Sequence, residues 1–107
     1  MNKVQLIGYL GKDPEFKIMP DETIMIKMSL ATNHWFFPNE GEKKQFTDWH
    51  TIKMWGKEKI EKSRNYLIKG SHVLVDGRIV YRQYKDAQGQ TKYVTEIRAN
   101  YLVDLDR

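Results

Sequence analysis

Phe46-Thr47-Asp48-Trp49-His50-Thr51-Ile52-Lys53-Met54-Trp55 intersperses aromatic and aliphatic residues with polar ones. Side chains alternate across a β-strand, so a period of two sorts this stretch into two faces. His50, Ile52 and Met54 form a core-facing set in which His50 needs a hydrogen-bond partner. Trp49, Thr51, Lys53 and Trp55 form the other, with an ammonium between two indoles. Two readings of that second face stay open from the strand alone. The indoles can pack under a neighbouring element or in a subunit interface, as large aromatics commonly do, or they can offer flat π-faces to a ligand.

The strand upstream repeats the pattern. From Thr23 to Thr32, Ile24, Ile26, Met28 and Leu30 fall on one side and Met25, Lys27, Ser29 and Ala31 on the other, a half-buried strand. A first strand, Lys3 to Leu10, stops at Gly11-Lys12-Asp13-Pro14, where proline ends ladder pairing. A short piece, Glu15 to Met19, then leads to Pro20-Asp21-Glu22. Asn33 to Gln45 is polar around Pro38-Asn39-Glu40-Gly41 and reads as a long hairpin loop, although it opens with Trp35-Phe36-Phe37. Downstream, Lys57 to Lys69 has a narrow apolar stripe (Ile60, Leu67, Ile68), Glu58 and Lys62 at i,i+4, and Gly70 placed to terminate it, which predicts a helix. Two more strands, Ser71 to Tyr84 and Thr91 to Leu105, are joined by a turn over residues 85–90. Three strands, a helix and two strands make an all-β chain compatible with an OB-fold, a five-stranded Greek-key barrel with its helix between strands 3 and 4. Periodicity leaves other small barrels open.

Composition bounds the rest. The chain has 107 residues, 40% of them hydrophobic and 30% charged, and no cysteine. That is one domain, residues 1–107, without disulfides, cysteine-based zinc sites or thiol chemistry. Three Trp, six Tyr and four Phe supply material for a packed core and argue against disorder. No apolar run approaches the roughly 20 residues of a membrane span. The strand pattern begins at once after Met1, so no leader is visible and a cytoplasmic setting is expected. The formal charge is +4. Residues 1–55 carry seven cations and seven acids, residues 56–107 eleven and seven, so the excess lies in the second half.

The fourth strand adds cations to the aromatic pattern. Its alternation places Val73, Val75, Ile79 and Tyr81 on one face. His72, Leu74, Asp76, Arg78, Val80, Arg82 and Tyr84 fall on the other, with Gly77 a candidate bulge where faces exchange. Arg78 and Arg82 can serve an anionic ligand or pair with Asp86 or Glu96. A ring beside a cation suits single-stranded nucleic acid, since stacking contributes about 1–3 kcal/mol per base with little base preference. The cations of residues 57–69 are diluted by Glu58 and Glu61 and read as a solvated face. Catalysis has little support. His34, His50 and His72 lack metal-ligand spacing, Asp48 with His50 is a lone pair, and no phosphate loop, HExxH or GxSxG pattern occurs.

Four blocks carry a resemblance: residues 2–15 (NKVQLIGYLGKDPE), 47–57 (TDWHTIKMWGK), 66–79 (YLIKGSHVLVDGRI) and 83–97 (QYKDAQGQTKYVTEI). In this order and spacing the chain resembles the bacterial-type single-stranded DNA-binding protein family, with its mitochondrial members, from residue 2 to about residue 103. The resemblance implies an OB-fold that coats single-stranded DNA in replication, recombination and repair, usually as a homotetramer. It implies stacking by Trp35, Trp49, Trp55 and Tyr84, the last where many members have tryptophan, and by Trp55 where many have phenylalanine. It also implies that His50 serves the subunit interface. Family members often continue into a flexible linker and an acidic tip that recruits replication and repair enzymes. This sequence ends at Asp104-Leu105-Asp106-Arg107, so a truncated or tail-less form is expected and that recruiting role is in doubt.

The combined expectation is a non-enzymatic, nucleoid-associated protein without cofactor or metal. Trp35, Trp49, Trp55 and Tyr84 stack bases, and Lys3, Lys17, Lys53, Arg78, Arg82 and Lys85 neutralise phosphates. Exposed strand edges need covering, so the first strand is the candidate for pairing with its own copy, with Val4, Leu6, Gly8 and His50 at the oligomer interface. The alternative is a primosomal or accessory OB-fold protein acting mainly through contacts with replication proteins.

Overall fold

The computed structural model describes residues 1–56 and 66–106. Six strands occur in chain order: β1 (Val4–Leu10), β2 (Glu15–Ile18), β3 (Ile24–Phe36), β4 (Lys44–Gly56), β5 (His72–Lys85) and β6 (Thr91–Asp104). Hydrogen bonding runs β1-β5-β6-β4-β3, and β3 returns to β1 through Tyr9 opposite Ala31 and Leu10 opposite Leu30. The result is a closed five-stranded barrel of the expected all-β class. β2 is an addition to it, pairing Glu15–Ile18 with Lys27–Ile24 along the same edge of β3 that β1 uses further on. Most of the predicted helix, residues 57–65, lies outside the described residues. Its predicted last turn is observed as a turn, in which Ile68 N–H donates to Ser71 Oγ and Ser71 N–H to the Ile68 carbonyl.

The barrel closes because its alternating strands have one apolar face each. Ile24, Ile26, Met28 and Leu30 of β3, Ile52 and Met54 of β4, Val73 and Val75 of β5, Ile97 of β6 and Leu10 of β1 meet inside, joined by Leu67 from the β4–β5 connection. The two faces assigned to β4 are thus observed as read. Asn33–Phe36 and Lys44–Gln45 depart from expectation, being ladder rather than loop, with Trp35 opposite Gln45 and Phe36 opposite Lys44. This part of the hairpin projects past the barrel with both faces open to solvent. A ribbon with no core face has no reason to alternate apolar and polar residues, so its strand character is hidden.

The β5–β6 register also shifts where a bulge was foreseen, but the extra residue lies on β6. Asp76 faces Tyr101 and Gly77 faces Ala99, leaving Asn100 between them. β5 therefore keeps its alternation, while β6 turns Ile97 and Ala99 inward before the bulge and Leu102 inward after it. On the same stretch before the bulge, Glu96 and Arg98 belong to the outer surface. The hairpin turn is closed by Asp86, whose Oδ1 accepts from the Gln88 and Gln90 N–H groups, with Gly89 at φ +79°, a conformation that glycine adopts without strain.

Candidate nucleic-acid interface

The outward side chains of β2, β3, β4 and β6 fall into cross-strand rows. One row runs Glu15, Lys27, Lys53, Arg98, and the next Lys17, Met25, Trp55. Trp49 lies opposite Ala31 and Trp35 opposite Gln45 on this same face. At about 3.3 Å per residue the three indoles are spread over roughly 33 Å. With exposures of 51% (Trp35), 62% (Trp49) and 37% (Trp55), none of the three is in the core of the chain. Tyr84, on β5, is 45% exposed.

Most of these rings have a cation against them. Lys43 Nζ lies 3.9 Å from the Trp35 ring centre, the Arg98 guanidinium 4.8 Å from that of Trp55 and the Arg82 guanidinium 6.0 Å from that of Tyr84. Such pairs hold a ring and a charge side by side. Trp49 is placed differently: a Cβ on Gly11 would run into its six-membered ring, so the indole lies directly against that glycine.

A cleft of about 280 Å³ opens between the two hairpins, lined by Lys27, Thr51, Lys53, Arg82, Tyr84 and Glu96 among others. Glu96 is only 1% exposed although it points outward, because cations cover it. Lys53 Nζ is 2.9 Å from Oε2, and Arg82 Nε 3.2 Å and Arg98 Nη2 3.8 Å from Oε1. Burial pushes this carboxyl up, but the bonds and charges of Lys53 and then Arg82 outweigh it and hold the group below the ordinary Glu value. The unfolded chain therefore takes up the proton more readily, and the stability Glu96 contributes is present above about pH 4.3 and lost as pH falls through the lower folded value. Urea unfolding at a series of pH values is expected to show this loss below about pH 4, and Glu96→Gln to remove this group's share of it.

The other expected residues are distributed as follows. Lys17 and Arg78 are exposed, Arg78 opposite Arg98 on the outer surface. Lys3 lies 3.7 Å from Asp76, a buried carboxylate that also accepts from Gln5. Lys85 is one residue past Tyr84, so alternation puts it on the other face of the β5–β6 hairpin. Val4 and Leu6 pack against the core and Gly8 is buried with the Ala31 carbonyl directly behind it, so the exposed side chains of β1 are Gln5, Ile7 and Tyr9. His50 is half-buried, and its Nε2 is 2.8 Å from Thr32 Oγ1, the partner its position required. Among the described residues, no three His, Cys, Asp or Glu are grouped as a metal site, and no helix is long and apolar enough to cross a membrane.

Sequence reasoning missed Lys27, Lys43 and Arg98 as site residues, and saw Glu96 only as one of two acids that Arg78 or Arg82 could pair with. Alternation had already put Lys27 on the outer face. For Arg98 the needed fact is the parallel β4–β6 pairing, Lys53 opposite Arg98, which no local pattern reveals.

Comparison with known proteins agrees with this fold. The model of the Single-strand binding protein family matches residues 1–105. The structure of Plasmodium falciparum SSB in complex with ssDNA superposes with a TM-score of 0.90 at 35% identity, covering 99% of this chain and 96% of that one. A deletion mutant of the single-stranded DNA binding protein from Thermus aquaticus gives 0.85 at 27% identity, covering 98% of this chain and 50% of that one.

Proposed function

This chain belongs to the single-strand binding protein family, a non-enzymatic family, and we propose that it coats single-stranded DNA without sequence preference during replication, recombination and repair. The observation that carries this reading is the placement of Trp35, Trp49, Trp55 and Tyr84 on the outer surface, three of them beside cations. Bases stack on these rings. Lys17, Arg78 and Arg82, with Lys27 and Arg98, meet phosphates directly, Lys85 follows the strand around the hairpin, Lys3 acts from beside Asp76, and Lys53 contributes its charge through Glu96 rather than by touching a phosphate. Stacking reads no base edge, and phosphates are the same in every sequence, so the expected preference is for strandedness. The experiment is fluorescence anisotropy with labelled oligo-dT and the corresponding duplex. Tight binding of the single strand is expected, weakening by about 0.7 log unit per log unit of salt for each phosphate contacted. Equal binding of duplex, or none of either, would contradict the proposal.

The proposal includes a homotetramer working in the cytoplasm. Among the described residues, no strand covers the edge of β1 opposite β5 from Val4 to Gly8, and an open edge invites pairing with a second copy. The outer face beside it is apolar, with Ile7 opposite Leu74 and Leu74 opposite Val103, and Tyr9 stacked on His72 at 4.6 Å. Light scattering at micromolar concentration is expected to give four times the 12.8 kDa chain mass; a monomer would overturn the assembly.

A further inference from the structure

Glu96 is a buried anion in the middle of a surface proposed to bind an anion. Taking a carboxylate out of water is costly, and removing one partner of a buried pair leaves the other uncompensated. Here three cations repay that cost, and all three come from the stacking face. They are not equivalent. The Lys53 side chain is 14% exposed and closest to the carboxylate, whereas Arg82 and Arg98 are 39% and 38% exposed and each also lies against a ring. The carboxylate oxygens occupy the position among these cations that a phosphate oxygen would take, since the two anions are bound by the same charge-assisted geometry.

We infer that Glu96 is an internal counter-anion that sets how many phosphates this face contacts. It withholds Lys53 from the DNA backbone and leaves Arg82 and Arg98 outward. Three positive charges and one negative leave a local excess of two, so the face releases fewer counterions on binding than its count of cations suggests. The inference rests on the single-stranded DNA reading and adds the residue that tunes its electrostatic part. Glu96 is a positioning residue here, acting through Lys53 and the two arginines.

The salt dependence of oligo-dT affinity tests this, because a merely structural role would change affinity or melting temperature without changing the slope. For Glu96→Gln, the slope of log K against log salt is expected to steepen by about 0.7, the value of one added phosphate contact on a single strand. For Lys53→Gln combined with Glu96→Gln, which restores the local charge balance, the wild-type slope is expected. An unchanged slope in Glu96→Gln would overturn the inference. So would a double variant whose slope is shallower than wild type by about 0.7, because Lys53 would then be contacting phosphate itself. Should circular dichroism show that Glu96→Gln alone does not fold, the charge-balanced double variant decides. Wild-type protein that fails to bind oligo-dT would instead remove the underlying reading, so the two failures are told apart.

Discussion

Replacing Trp49 and Trp55 together by alanine is expected to reduce affinity for oligo-dT by between about 30-fold and 20,000-fold while leaving the fold intact. The range follows from two stacked bases at about 1–3 kcal/mol each, with 1.4 kcal/mol per factor of ten. Stability should change little, because both rings stand outside the apolar core. The loss should be similar for dT, dC and dA, since every base offers a π-face. Trp55 carries an additional dependence: without its ring, the Arg98 guanidinium loses a surface that now lies 4.8 Å away and is free to follow Glu96 alone. A loss confined to one base would point to base-edge readout. A large fall in melting temperature would mean that the rings support packing instead.

Gly77→Ala is expected to destabilise the barrel by about 2–3 kcal/mol, the upper part of what overpacking costs. The position is buried on β5, and a Cβ there would collide with the Arg98 carbonyl oxygen and press on the Ala99 Cα across the strand pair. Those are backbone atoms, which cannot swing aside as a flexible side chain can. The register shift between Asp76 and Gly77 depends on this close approach. Through it β6 turns Glu96 and Arg98 outward while Leu102 enters the core. For a domain of this size the change corresponds to a fall in melting temperature of roughly 10–20 °C, readable by circular dichroism. DNA affinity at low temperature should also decline, because Arg98 is attached to the displaced backbone. A variant as stable as wild type would show that the β6 bulge relaxes without cost.

The two predictions differ in how far the sequence alone leads to them. The Trp49/Trp55 face was legible because β4 contributes to the core along half its length, so Ile52 and Met54 mark the inside and thereby the outside. β3 was legible up to Thr32 for the same reason. Beyond it, Asn33–Phe36 and Lys44–Gln45 pair as a ribbon with no buried side, and the local signal resembles a loop. Gly77 announced an irregularity, but which strand carries the extra residue depends on Asn100, across the ladder. The Glu96 cluster lies furthest from a local reading. It joins Lys53, Arg82 and Arg98 from three strands through one antiparallel and one parallel register, and registers are properties of the assembled sheet.

The most direct test of the central claim is a titration of intrinsic tryptophan fluorescence with unlabelled oligo-dT at low salt. Trp35, Trp49 and Trp55 are the chain's only tryptophans, and all three belong to the face proposed to stack bases. Strong, saturable quenching that is reversed by added salt is the expected result. Tryptophan emission that does not change at low salt, under conditions where the protein is folded, would contradict the account.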